Sequence, residues 1–278
     1  MVKLRNLTQR YAIVFAAALT VSVYFISRFF NYFIVLIPDL YVEDVVFNIV
    51  FMLWPVALTF LFGYGFVFKE KGFGKTFKTG LLFLCVYLAV LPFTALTAFE
   101  KAGAQWQTWD KILLGVLTLI GIGLREELLF RGIIGNALAL KYAKSTKGIW
   151  LTVAVASIAF GALHFFNVLA GVSVGAVFVQ VLGATVVGAV FCAIYLRGGN
   201  VWVPIIIHAV VDLVGLFEST FVISAVSDVD QINNLNFSGL LISIPLELLL
   251  VAFLLRKSKR QDILDRLETL REKYGENA

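Results

Sequence analysis

The chain has 278 residues, 60% of them hydrophobic and 15% charged, with a mean hydropathy of +0.91. No water-soluble core of this length needs so much apolar surface, and several runs reach the ~18–20 apolar residues that cross a bilayer. These runs are continuous rather than alternating, which excludes a β-barrel. The net charge of +5 sits mostly in loops and tails, without the basic stripe and interleaved aromatics of a nucleic-acid surface.

In chain order, about eight apolar spans are expected, at roughly 11–36, 45–67, 79–98, 112–130, 149–170, 173–196, 201–217 and 238–255. The first is overlong, contains Arg28 and Asn31, and lacks a small-residue cleavage site. It reads as an uncleaved signal-anchor. The fourth is better drawn as one helix from Lys111 to about Ala143, ~48 Å long against a hydrocarbon core of ~30 Å. Such a helix projects beyond the membrane. Without an internal repeat or a low-complexity linker, residues 1–278 read as one all-α membrane domain.

Loop charges give the orientation. Basic segments hold Lys3, Arg5 and Arg10; Lys69, Lys71, Lys75 and Lys78; Lys141, Lys144 and Lys147; Arg197; and Arg256, Lys257, Lys259 and Arg260. The loops between them are acidic or near neutral: Asp39, Glu43 and Asp44; Glu100 and Asp110, offset by Lys101 and Lys111; then Glu218, Asp228 and Asp230. The alternation predicts a multi-pass plasma-membrane protein with both termini cytoplasmic. The tail, 256–278, is basic and amphipathic, with Ile263, Leu264, Leu267 and Leu270 on one helical face. It either rests on the membrane surface or the cytoplasmic loops, or stays solvated. Cys85 and Cys192 fall in apolar runs without a CxxC pattern, so both read as buried small hydrophobes and not as a disulfide or a thiolate metal site.

Ionisable side chains inside hydrocarbon cost ~2.5–3.5 kcal/mol each on insertion scales. The chain has only two histidines, His164 and His208, and both lie in apolar stretches beside other polar groups. Three segments stand out: Glu126-Glu127-Leu-Leu-Phe-Arg131, Phe160-Gly-Ala-Leu-His164 and His208-Ala-Val-Val-Asp212. Glu127 and His164 are equidistant from the Lys-rich turn joining their helices, so an antiparallel hairpin places them level, roughly 22–25 Å from it. Glu127 and Arg131 sit four apart in the favourable order for an ion pair. Glu126 points ~100° away and is expected to be free for chemistry. His208 and Asp212 share a face, where a carboxylate can orient an imidazole. Phe160 reads as packing, and Glu247, following Pro245, as a satisfied core acid. No serine, cysteine or threonine stands beside a base as an obvious nucleophile, so water is the expected nucleophile.

At these residues the sequence resembles the CAAX-protease and bacteriocin-processing family of intramembrane endopeptidases, which includes the type II CAAX prenyl endopeptidases and bacterial self-immunity proteins. The pattern Glu-Glu-x-x-x-Arg, Phe-x-x-x-His and His-x-x-x-Asn/Asp is met by Glu126, Glu127 and Arg131, by Phe160 and His164, and by His208 and Asp212. The resemblance covers roughly residues 112–217. It implies hydrolysis of a peptide bond in a peptide or membrane-anchored protein: Glu126 with His164 activates water, and His208 with Asp212 stabilises the oxyanion. Asp212 stands where the type II enzymes have asparagine, and an ionised Asp cannot donate a hydrogen bond. Either it is protonated, or it orients His208 as imidazolium. No cofactor is expected on this reading. The alternative is Zn²⁺ held by Glu126, His164, His208 and Asp212, although the spacing is not His-Glu-x-x-His. A non-catalytic immunity or binding protein is a second alternative. A proton-coupled carrier would more often show inverted repeats.

Overall fold

A computed structural model describes residues 1–100, 104–223, 227–235 and 237–275, apart from the side chains of Leu40, Tyr41, Asp44 and Asp228. The charged side chains of Asp44, Lys101 and Asp228, and the last three residues of the tail, lie outside it.

The chain is an all-α polytopic membrane bundle. In order, the helices are α1 (Val2–Arg10), α2 (Ala12–Ile34), α3 (Leu40–Leu61), α4 (Phe73–Phe99), α5 (Trp109–Glu127), α6 (Asn136–Tyr142), α7 (Thr146–Leu163), α8 (Val174–Gly198), α9 (Trp202–Gly215), α10 (Phe217–Phe221), α11 (Asp228–Asn233), α12 (Phe237–Leu254) and α13 (Lys257–Tyr274). A wide π-helical stretch, Leu128–Gly135, joins α5 to α6 without a break, and a 3₁₀ stretch, His164–Ala170, extends α7. Among the described residues, five helical segments are long and apolar enough to cross a bilayer: α2, α4, α7 with its extension, α8 and α12; Val45–Leu61 of α3 and α9 are apolar but shorter. The anticipated long fourth helix is present from Trp109 to Tyr142. Among the described residues, one feature departs from all-α: Gln105–Trp106 pairs antiparallel with Val222–Ile223.

Small residues set the helix crossings. With little hydrophobic drive between helices in lipid, close backbone approach supplies the packing energy. A Cβ at Gly161 of α7 would overlap Thr185 of α8, and one at Gly123 of α5 would lie 2.9 Å from the Ile205 carbonyl of α9. These contacts draw α7 onto α8 and α5 onto α9. Helix α8 stops at Gly199, whose φ of 91° is a left-handed conformation that glycine adopts without penalty.

The first and last helices, α1 and α13, lie at the end of the bundle that carries the Lys-rich turn. Gln9 donates to the Tyr274 carbonyl at 2.8 Å, and Arg271 donates to the Ala143 carbonyl at 2.8 Å. Ile263 and Leu267 are fully buried and Leu270 nearly so, while Leu264 is half-buried. The tail helix therefore docks its apolar face on the protein's own helices, chiefly α6 and α8. The expected burial of both cysteines needs one correction: Cys192 is buried, but Cys85 is exposed on α4. Apolar helices with one lipid-facing side place such small residues outward as readily as inward.

Candidate active site

Glu126 and Glu127 are the last two residues of α5, and the π-helical stretch begins immediately after them. Every residue from Leu128 to Gly135 is buried. The wider π pitch disturbs the regular backbone ladder, and such segments concentrate at functional sites. Asn136 steadies this one: its amide donates to the carbonyls of Gly132 and Arg131 at 2.9 and 3.2 Å, and to the Tyr195 hydroxyl at 2.9 Å.

The anticipated Glu127–Arg131 pair is present at 2.9 Å, with both side chains almost completely buried. Arg131 also donates to the Gly188 carbonyl of α8 at 2.9 Å. Its guanidinium lies against the rings of Phe160, 4.6 Å away, and Phe191, 5.2 Å away. Glu127 does more than pair with Arg131. The same Oε1 accepts a hydrogen bond from His208 Nδ1 at 2.8 Å. The hydrogen-bond partner of His208 is therefore Glu127, on another helix. Asp212 Oδ2 lies 3.6 Å from His208 Nε2 and has no hydrogen-bond partner among the described residues. A helical turn puts Asp212 beside the imidazole, but side-chain reach leaves it short of a bond.

Glu126 is not free, as its direction on the helix wheel had suggested. Arg125 Nη2 donates to its Oε1 at 2.8 Å, and the Arg125 guanidinium sits 5.1 Å from the Phe51 ring centroid. Its other oxygen, Oε2, lies 3.8 Å from His208 Nε2. His164 begins the 3₁₀ stretch, where the end of α7 leaves carbonyls unpaired. His164 Nδ1 takes the Phe160 carbonyl, 3.2 Å away, as its partner. Because a carbonyl only accepts, Nδ1 carries the hydrogen, and Nε2 of the neutral ring is an acceptor. Phe160 thus contributes twice: its carbonyl sets the His164 tautomer, while its buried ring packs edge-on against Phe130, His164 and His208.

Glu126, His164, His208 and Asp212 all line one cavity of 460 Å³. Its walls include Arg28 from α2 and Phe51 from α3, outside the three motifs. A stacked pair, Tyr24 and Phe166, with centroids 4.5 Å apart, links α2 to the end of α7 at its edge. The polar residues that lengthen the first span therefore include one that faces the site. Arg125, Asn136 and Phe191 had no role in the motif reading. Arg125 was legible as a charge in an apolar run. The other two had no motif signal: Asn136 reaches Tyr195, and Phe191 reaches Arg131, only through the packing of separate helical segments.

Around His208 stand three carboxylates, Glu127, Asp212 and Glu126, against two guanidiniums, Arg125 and Arg131. Among the described residues, no group of three or more His, Cys, Asp or Glu side chains is disposed to hold an ion. Glu126 Oε1, His164 Nδ1 and His208 Nδ1 are already engaged by Arg125, the Phe160 carbonyl and Glu127. These contacts leave Glu126 Oε2, His164 Nε2 and His208 Nε2 as the remaining donor atoms of the site, and a metal-binding histidine shows the same nitrogen pattern.

Residues 108–214 match the family model described as type II CAAX prenyl endopeptidase Rce1-like. No curated protein and no solved structure matches the chain.

Proposed function

Residues 108–214 form a domain of the type II CAAX prenyl endopeptidase Rce1-like protease family, and from that premise we propose that the chain is a glutamate-dependent intramembrane endopeptidase. The observation that carries this reading is the convergence of Glu126, His164, His208 and Asp212 on one cavity.

Two acceptors face a water molecule there. Glu126 offers Oε2, since Arg125 holds Oε1. His164 offers Nε2, since Nδ1–H is committed to the Phe160 carbonyl. A water donating one hydrogen to each presents its lone pair away from both, toward a bound peptide carbonyl. Glu126 takes a proton as the oxygen attacks, and the same proton passes to the leaving amine as the C–N bond breaks. His208, as imidazolium, donates through Nδ1–H to Glu127 and presents Nε2–H to the developing oxyanion. Its charge brings the three carboxylates and two guanidiniums to neutrality, which a buried cluster requires. A donor so placed contributes about 2.7–4 kcal/mol to the transition state. Asp212 accompanies that imidazolium without donating to the oxyanion itself.

The substrate is a peptide or membrane-anchored protein, with the termini and the site's hairpin on the cytoplasmic side of the plasma membrane. The orientation rests on the loop-charge alternation. The test is a cleavage assay on membrane-anchored peptides with the purified wild type and Glu126→Gln, each with and without chelator. The expected result is cleavage by the wild type in both conditions and loss of at least ~10³-fold in Glu126→Gln. Cleavage that stops with chelator and returns with Zn²⁺ overturns the glutamate mechanism. Undiminished cleavage or biological activity in Glu126→Gln overturns the enzyme reading in favour of a binding or immunity role.

A further inference from the structure

Far in sequence from the catalytic motifs, a second polar cavity of 400 Å³ opens at the end of the bundle that holds α1 and α13. Five cations line it: Lys75 and Lys78 from α4, Arg197 from α8, and Arg256 and Lys259 at the start of α13. Asp262 is the one acid among its lining residues. No salt bridge within 4 Å joins any of the five to a carboxylate among the described residues. Concentrating like charges on three converging elements is unfavourable unless an anion compensates them.

The walls say which anion. Below the cations the cavity is closed by Leu82, Leu250, Phe253 and Leu254. α4 and α12 both pack on α8, and each presents an exposed apolar face running away from the cavity. Leu82 is 62% exposed, Val86 52%, Phe253 56% and Leu249 66%. A basic mouth above two apolar strips matches a phosphate headgroup with its acyl chains lying along the bundle. A free phosphate would use the cations and leave the strips unused. The first turn of α13 adds to the field: it contains no acidic residue and no side-chain cap, so its N–H groups also favour negative charge.

We propose that this cavity binds the headgroup of an anionic phospholipid, whose phosphodiester is held by Lys75, Lys78, Arg197 and Lys259. The bound lipid ties the start of α13 to α4 and α8. The site is separate from the catalytic cavity and does not depend on the reaction proposed above.

The test uses full-length protein in neutral detergent and reads lipid retention by native mass spectrometry, with thermal midpoint as a second measure. Probes are phosphatidylglycerol, phosphatidylcholine and inorganic phosphate. Phosphatidylglycerol should bind at least ~10-fold more tightly than phosphatidylcholine, with each lysine removed weakening it about fivefold. The double variant Lys78→Gln/Lys259→Gln should therefore lose about 25-fold and the lipid-induced rise in midpoint. Lys144→Gln/Lys147→Gln, at the hairpin turn, should retain both. Equal retention of the two lipids, or unchanged binding in Lys78→Gln/Lys259→Gln, overturns the proposal. A midpoint rise with inorganic phosphate equal to that with phosphatidylglycerol overturns the lipid assignment and leaves a simple anion site.

Discussion

Arg125 Nη2 lies 2.8 Å from Glu126 Oε1, and this pair of sequence neighbours fixes which oxygen of the candidate base can face water. Adjacent residues on a helix diverge by ~100°, so the contact depends on the long Arg side chain curling back along the cavity wall, against Phe51. In the proposed mechanism Arg125 acts through Glu126, as a positioning residue. A charge-assisted hydrogen bond of this kind contributes about 1.5–3 kcal/mol. Arg125→Gln should lower kcat by ~10–150-fold with KM little changed, and Arg125→Lys should recover part of the loss. Steady-state cleavage of one peptide by the three proteins decides it. An Arg125→Gln enzyme with normal kcat would show that Glu126 needs no such restraint.

Glu127 and Asp212 both neighbour His208, but at 2.8 and 3.6 Å. The shorter contact is the hydrogen bond. Asp212→Asn should therefore retain activity within ~10-fold, since Nδ1–H still has its Glu127 acceptor, whereas removing an oxyanion donor costs ~10²–10³-fold. Glu127→Gln should fall in that larger range. Measuring kcat/KM for both under one set of conditions ranks them. The reverse order would return the orienting role to Asp212.

The Arg131–Glu127 pair is buried on both sides. Removing one partner of such a pair typically costs about 3–5 kcal/mol, because the other charge is left uncompensated. Arg131→Met should lower the thermal midpoint sharply and abolish activity through lost structure. The double variant Arg131→Met/Glu127→Leu should recover part of the stability and none of the catalysis. Thermal unfolding in detergent, read beside cleavage, separates the two effects.

Gly161 has no room for a side chain, since a Cβ there would overlap Thr185 and sit 2.8 Å from the Val181 carbonyl. Gly161→Val should force α7 from α8 three residues before His164. The expected result is activity below a tenth of wild type, or failure to accumulate in the membrane, consistent with the ~1–3 kcal/mol or more that overpacking costs. Gly175→Val serves as the control, because its Cβ meets nothing within 4 Å; expression and cleavage should stay close to wild type.

At the other end, Arg266 donates to both oxygens of Glu70 at 2.9 and 3.0 Å, and to the Leu196 carbonyl at 3.0 Å. Glu70 in turn accepts from Tyr195, which is bonded to Asn136 beside the π-helical stretch. Arg266→Met should weaken tail docking by ~1–2 kcal/mol. Limited proteolysis should then release α13 fragments roughly 5–30-fold faster, as expected where cleavage tracks local opening.

The sequence by itself determined the class of the molecule and the residues from which a candidate site could be proposed. Apolar run length requires helices wherever backbone groups meet lipid, and the cost of intramembrane charge singles out Glu126, Glu127, His164, His208 and Asp212. The i,i+4 period was enough to pair Glu127 with Arg131, because that geometry is local. Tertiary structure decided which partner each polar group takes. Glu127 rather than Asp212 hydrogen-bonds His208, the Phe160 carbonyl pairs with His164 Nδ1, and Arg28 of the first span reaches the same cavity. Those outcomes depend on how closely α5, α7, α8 and α9 approach, which glycines and long-range contacts set. A helix wheel gives the direction of a side chain from its own axis; it carries no information about the distance to the next one.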